Sequence, residues 1–485
     1  MRETGQVAEA GTQPPSEFTV HLLDDDVRRT RLAAWFAAVL MLAASLAGCT
    51  MTAPTVSLPP VPAAGPGLGT IVWLADPTAE TATNDVRQVL ADAFEQAYPS
   101  ITVKLETGPT STDALRAQLV SQLPSGSTPD VYDGDVIWPS SFAPAGYAVP
   151  LSKYLPPAFW DTFGTAGGAN IGASFVRDLT YHHDIYGVPE YIDEGFLYYR
   201  KDLLAKAHLL PPRTWEELEH DALVLKSRGL PSQFVWQGNN YEGLTCDWYE
   251  FLADAFGGLP PGASPATELD SAQAQKALQF MQGLIGQGIS PATVDTFEET
   301  DTDSVFDTGH AAFMRGWDSA YANATSGPNA LRPDQVGVEA PPTFQGQSGV
   351  GWSTLGGWGL FINPRTRNLP AALTFVKWMA GWQAQWILAT QYSEIPANAS
   401  VRNDPAVISR NPVLAAVAST RVVLRPAMTS NYPQLSKVIY DQVNAALHTP
   451  KSAADACLDL LNAARALDSA VTGGPSCPGV PGGGR

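Results

Sequence analysis

The sequence predicts an α/β protein of two lobes, each with a central sheet flanked by helices. Gly69 to Tyr132 alternates strand, helix, strand, helix, strand. About four hundred residues between two breaker-rich ends exceed what one hydrophobic core organises. Beyond Tyr186 the alternation gives way to short apolar strands set among long helical patterns.

In chain order, Ile71–Leu74 reads as a short buried strand. Asn84-Asp85 can cap a helix whose Val86, Leu90, Phe94 and Ala97 fall at helical spacing. Ile101–Leu105 alternates as a second strand, Leu115–Leu123 is amphipathic, and Pro129–Tyr132 begins a third strand, predicting a mostly parallel sheet. Phe196–Tyr199 is the next strand. Thr214 and Glu217 have the spacing of a capping box, opening a helix at Trp215. Helical patterns cover Ala272–Gln287, Ala371–Leu388, Pro433–Leu447 and Ala453–Leu467. Phe313-Met314, Gly337–Pro341 and Gly356–Ile362 read as strands.

The N-terminus carries a different signal. Arg28, Arg29 and Arg31 precede an apolar run ending Leu46-Ala47-Gly48-Cys49, the layout of a secretory signal: positive start, short apolar stretch, small-residue cleavage site. The run is too short for a typical membrane span. Asp24-Asp25-Asp26 opposes the usual charge pattern, so Val27 reads as the true start and residues 1–26 as an extension; peptides from that region in unprocessed precursor would refute this. Residues 50–68 are rich in Pro, Gly and small side chains and read as a tether; residues 472–485 read as a loose tail.

Forty-eight acidic against 29 basic residues give a formal net charge of −19, which argues against a nucleic-acid partner. Of four cysteines, Cys457 and Cys477 are spaced to staple the tail in an oxidising compartment, and Cys246 reads as a buried thiol. No Cys/His spacing suits zinc, and His182-His183-Asp184 reads as a solvated loop. No metal or cofactor is expected.

Several stretches resemble one family. Leu46–Cys49 is similar to the lipobox of bacterial lipoproteins, in which Cys49 would be lipidated. Pro129-Asp130-Val131 with Asp135–Trp138, Phe142–Gly146, Tyr186–Pro189, Leu197–Leu203, Pro212–Leu218, Ala312–Met314 with Gly316-Trp317, Gly356–Trp358 and Ala371–Trp378 together resemble the extracellular solute-binding proteins of sugar ABC importers. Tyr241–Leu244 and Leu424–Ala427 are similar to the trehalose-binding branch, whereas Asp193-Glu194 and Trp236–Asn240 depart from it. The resemblance implies a type II periplasmic-binding fold with an interlobe cleft. Lobe 1 would comprise 69–186 plus about 342–366, and lobe 2 187–341 plus about 367–471. Hinges would lie near 184–190, 338–345 and 362–370. It further implies a lipid-anchored monomer on the outer face of the cell membrane. Such a protein captures a trehalose- or maltose-like sugar without chemistry and delivers it to a permease.

A sugar cleft needs carboxylates and amides for hydroxyls, arginine for paired contacts and aromatic faces for C–H surfaces. The candidates are Glu80, Asp135, Asp193, Trp236, Tyr241, Glu242, Trp317, Gly357, Trp358 and Arg425, with Tyr432 a weaker one. Each has a plainer alternative: a solvated loop acid for Glu80, a helix cap for Asp135, a charged turn for Asp193, helix-dipole pairing for Glu242, a surface guanidinium for Arg425, and core packing for the tryptophans. Asp135→Ala and Arg425→Ala are expected to abolish ligand-induced stabilisation while leaving unliganded melting nearly unchanged. The competing functions are a carbohydrate hydrolase, a structural lipoprotein, and a binder of glycerophosphodiesters or polyamines. Adjacent Asp193 and Glu194 point oppositely in a strand, poor geometry for a hydrolytic pair.

Overall fold

The computed structural model describes residues 58, 60, 65–76, 85–109, 111–164, 171–260, 268–326, 330–427 and 431–472, with the side chains of 468–472 excepted. They fall within one compact unit, Val56–Arg485. The signal-like run, Cys49, Glu80 and Cys477 lie outside the described residues. No helix among the described residues is long and apolar enough to cross a membrane.

The strands and principal helices, in order, are β1 (Gly69–Ala75), α1 (Val86–Ala97), β2 (Ile101–Thr107), α2 (Thr112–Gln122), β3 (Val131–Asp135), β4 (Gly187–Glu194) and β5 (Phe196–Arg200). Then come α3 (Trp215–Ser227), β6 (Gln233–Val235), α4 (Glu242–Phe256), α5 (Ala272–Gly286), α6 (Glu299–Asp307), β7 (Ala311–Gly316) and β8 (Val336–Glu339). The chain closes with β9 (Trp352–Ile362), α7 (Leu369–Met379), α8 (Trp382–Gln391), β10 (Ile395–Pro396), β11 (Arg421–Val423), α9 (Tyr432–His448) and α10 (Ala453–Thr472).

Local chemistry sets the boundaries. Asp85 caps α1 by accepting from the Arg87 amide at 2.9 Å. At α3, Thr214 accepts from the Glu217 amide, but the Glu217 carboxylate returns to the Arg213 amide, one residue before the cap. The apolar stretch expected as one helix over 371–388 is two, α7 and α8, broken at Ala380-Gly381.

Two sheets result. The larger runs β10-β4-β9-β3-β1-β2, with β11 on β9; the smaller runs β8-β5-β7-β6. Only β2-β1-β3 and the β9–β11 pair are parallel in the larger sheet, because β9 inserts antiparallel between β3 and β4. The expected mostly parallel sheet is therefore a mixed one. Trp73 and Phe375 rings, 5.1 Å apart, pin α7 beneath β1. A second core, with Trp215, Trp236, Phe251 and Phe313, fills the far side of the smaller sheet beneath α3, α4 and α5.

The chain passes between the sheets at Gly195, between β8 and β9, and between Val423 and Tyr432. The first and third of these crossings differ from the expected ones. β4 belongs to the larger sheet, and α7 and α8 pack on β1, β4 and α1 rather than joining the smaller sheet after 367. At Gly195 the backbone runs so close to the core that a Cβ would lie 2.2 Å from Glu250 and 2.5 Å from Arg315. Only glycine fits.

Candidate functional site

β9 organises the site. Its Trp358 pairs with Asp135, the last residue of β3, and its Gly356 pairs with Asp193, near the end of β4. The strand ends thus bring Asp135, Asp193 and Trp358 to one edge of the larger sheet. Gly357 lies between, at φ +118°, where a Cβ would meet the Phe175 ring and the Tyr191 carbonyl, each at 2.6 Å. From the smaller sheet, Trp317 follows β7, while Tyr241 and Glu242 stand at the start of α4.

A cavity of about 270 Å³ opens between these elements. Asp135, Asp193, Tyr241, Glu242, Trp317, Gly357, Trp358 and Arg425 all line it. Trp236 does not. It is fully buried in the second core, with Nε1 donating to Ser290 Oγ at 3.0 Å. Its neighbour Gln237 faces the cavity instead, as alternation past a strand end requires.

Arg425 ties the two halves of the lining together. It sits on the third crossing, 7 % exposed. Nη1 donates to Glu242 Oε1 at 2.7 Å and Nη2 to Asp135 Oδ1 at 3.2 Å. Glu242 also accepts from the Tyr432 and Ser436 hydroxyls, each at 2.5 Å. Burial raises the pKa of both Asp135 and Glu242, and Arg425 pulls each back. Arg425 Nε is buried without a hydrogen-bond partner among the described residues. Because the guanidinium is an inter-element clamp as well as a lining group, the expectation that Arg425→Ala leaves unliganded melting unchanged does not fit this geometry.

The aromatic surfaces differ in freedom. The Arg315 guanidinium lies 3.8 Å from the Trp317 ring centroid and covers one face of it. Arg315 is itself held by Asp247 at 3.0 Å and Glu250 at 2.6 Å, both from α4. Trp358 packs edge-on against Trp138 at 5.9 Å.

The cavity is acidic. Asp135, Asp193, Glu242, Glu298, Glu299, Asp303 and Glu394 line it, against one guanidinium, that of Arg425, among the described residues. Glu299 accepts from Trp317 Nε1 at 3.2 Å, and Asp303 from the Asn323 amide at 2.9 Å. Burial pushes Asp303 up to about 7. Glu298, Glu299, Asp303 and Glu394 were not among the sequence candidates. Glu299 and Asp303 are one helical turn apart in the acidic start of α6, a spacing that puts both on one face and could have signalled them. Glu394 follows Ser393, which has φ +63°. Nothing in the local sequence marks that turn as aimed into a cleft.

Residues 79–386 match the family model described as bacterial extracellular solute-binding protein. The chain belongs to that family. A probable ABC transporter-binding protein of Deinococcus radiodurans is 34 % identical over 385 residues, which cover 76 % of this chain and 87 % of the relative. The solved structure of maltose-bound T. maritima MalE3 has 31 % identity and a TM-score of 0.72, covering 82 % of this solute-binding chain and 99 % of that one. The mannitol-binding protein of Pseudomonas aeruginosa is 26 % identical over 381 residues, 73 % of this chain and 79 % of the relative. The fold is that of type II periplasmic binding proteins.

Proposed function

We propose that this solute-binding protein captures a disaccharide or short oligosaccharide, of the trehalose or maltose kind, in the cavity. It delivers the sugar unaltered to an ABC permease. One observation carries this: a single cavity between the two sheets collects carboxylates, a guanidinium with a spare donor, and the Trp317, Trp358 and Tyr241 rings. That is the donor, acceptor and apolar-face set a pyranose requires. About 270 Å³ lies just below the roughly 300–1,000 Å³ span of ligand pockets and suits a small solute of one or two sugar rings. The maltose-bound and mannitol-binding relatives support a polyol or sugar ligand.

The lobes we propose are the larger sheet with α1, α2, α7 and α8, and the smaller sheet with α3 to α6, α9 and α10. Ligand would favour the closed arrangement, because only there do both lobes contact it. The lipid on Cys49 and the 50–68 tether would hold the protein, as a monomer, on the outer face of the membrane beside its permease. The test is a thermal-shift and turnover screen across trehalose, maltose, maltotriose and mannitol. The proposal expects a rise of about 3 °C at one hundred times Kd, where binding adds about 2.7 kcal/mol, with every sugar recovered intact. Hydrolysis, or no shift with any of them, would overturn it.

A further inference from the structure

The lining acids are unequally satisfied. Asp135 and Glu242 share Arg425, Glu299 has the Trp317 N–H, Asp303 has Asn323, and Glu298 accepts from the Asn239 amide at 2.8 Å. One corner lacks such donors. Glu394 is 1 % exposed, lines the cavity, and neither of its carboxyl oxygens has a hydrogen-bond donor among the described residues. Asp193 Oδ1 is buried in the same condition. The carboxyl of Asp318, 0 % exposed and outside the cavity lining, is within hydrogen-bonding reach of both, and its backbone amide reaches Asp193, so three acids meet at this corner with only one another's protons and a backbone amide between them.

The nearest cations are committed elsewhere. Arg87 pairs with Asp76 and lies 3.7 Å from Glu190, and Arg315 pairs with Asp247 and Glu250. Asp318 receives the Ile395 amide at 2.6 Å and the Ser319 amide at 3.2 Å, neither of which carries charge. A sugar hydroxyl could fill one lone pair here but would bring no positive charge to this crowded set of acids. An alkylammonium has three N–H donors and one positive charge, and so suits the Asp193 and Glu394 carboxyls that line the cavity, with Asp318 beside them.

We propose that the solute carries a protonated amine, an amino sugar rather than a neutral one, and that its ammonium sits against Asp193 and Glu394, where Asp318 adds a third acid close by. This rests on the saccharide reading and narrows it. The corner is built from both sheets, Asp193 and Glu394 on the side of β4 and β10, Asp318 on the loop after β7.

The test is isothermal titration of the full chain at pH 7 with two matched series. One is the β-1,4-linked glucosamine disaccharide, its di-N-acetyl form and cellobiose; the other is 6-amino-6-deoxytrehalose and trehalose. Spermidine is the amine without a sugar. In at least one series the amine is expected to bind ten times or more tighter than its neutral counterparts. Glu394→Gln and, separately, Asp193→Asn are expected to reduce that preference to threefold or less. Neutral sugars binding as tightly as their amines would overturn the amine inference and leave the saccharide reading standing. Spermidine binding with no saccharide binding would overturn both readings; no binding by any probe would overturn the amino-sugar assignment, the saccharide reading being decided by the thermal-shift screen. An amine preference undiminished in both variants would remove the ammonium from this corner.

Discussion

Replacing Arg425 by methionine tests the clamp that joins Asp135 to Glu242. Methionine keeps much of the apolar stem and removes the charge. Two carboxylates, 7 % and 5 % exposed, then lose their shared cation. Breaking a buried pair by removing one partner costs about 3–5 kcal/mol. With about 2.1 cal/mol/K of unfolding entropy per residue over about four hundred residues, that is a fall of roughly 4–6 °C in Tm. The loss depends on pH with a definite sign. Burial raises both carboxyl pKa values in the folded protein, and without Arg425 to pull them back they rise further. Stability tied to their protonated forms is full below about pH 4 and lost as pH rises through the raised values. The gap between Arg425→Met and the parent should accordingly be small at pH 5 and full at pH 8. Scanning fluorimetry of unliganded protein at both values measures it, and Arg425→Met/Glu242→Gln should recover part of the loss. Unliganded melting within 1 °C of the parent at pH 8 would refute the buried clamp, as would a loss equal at both pH values.

Further outcomes follow from the same geometry. Trp317→Ala should weaken sugar binding by about 1.5 kcal/mol, roughly tenfold in Kd, by removing the stacking surface; titration calorimetry reads this. Gly357→Ala places a Cβ within 2.6 Å of Phe175 and Tyr191 at φ +118° and should cost about 2–4 kcal/mol of stability, measured by denaturant unfolding. Trp236→Phe should lose about 1–3 kcal/mol through its bond to Ser290 while leaving Kd within twofold, since it lies in the core. Burial raises the pKa of Asp193, Asp318 and Glu394. The unliganded protein should therefore melt lower at pH 8 than at pH 5, and a flat or opposite Tm profile would contradict this cluster.

Local order was legible and long-range pairing was not. The cap at Asp85, the strand at 101–107 and the helix opening at Trp215 follow from spacing and side-chain chemistry within a few residues. The mixed sheet was hidden because β9 reaches across more than two hundred residues to β3, and nothing local in Gly356–Ile362 states its direction. The same blindness misplaced the first and third crossings: α7 looks like any apolar helix until Phe375 is seen against Trp73. At the site, residues beside glycine or at element ends, such as Trp317, Trp358 and Glu242, could be singled out. Trp236 could not be told from Gln237, because which of two neighbours faces the cavity depends on strand orientation. Glu394 owes its place to a left-handed Ser393 and to packing against Asp318, neither of which the sequence spells out.

The central claim is that these groups grip a saccharide between the two sheets. A crystal structure of the protein grown with the tightest-binding sugar of the thermal-shift screen tests it most directly. The sugar should lie in the cavity with a ring against Trp317 or Trp358 and a hydroxyl within about 3 Å of Arg425 Nε. A sugar bound elsewhere, or a cavity left empty at saturating concentration, would contradict it.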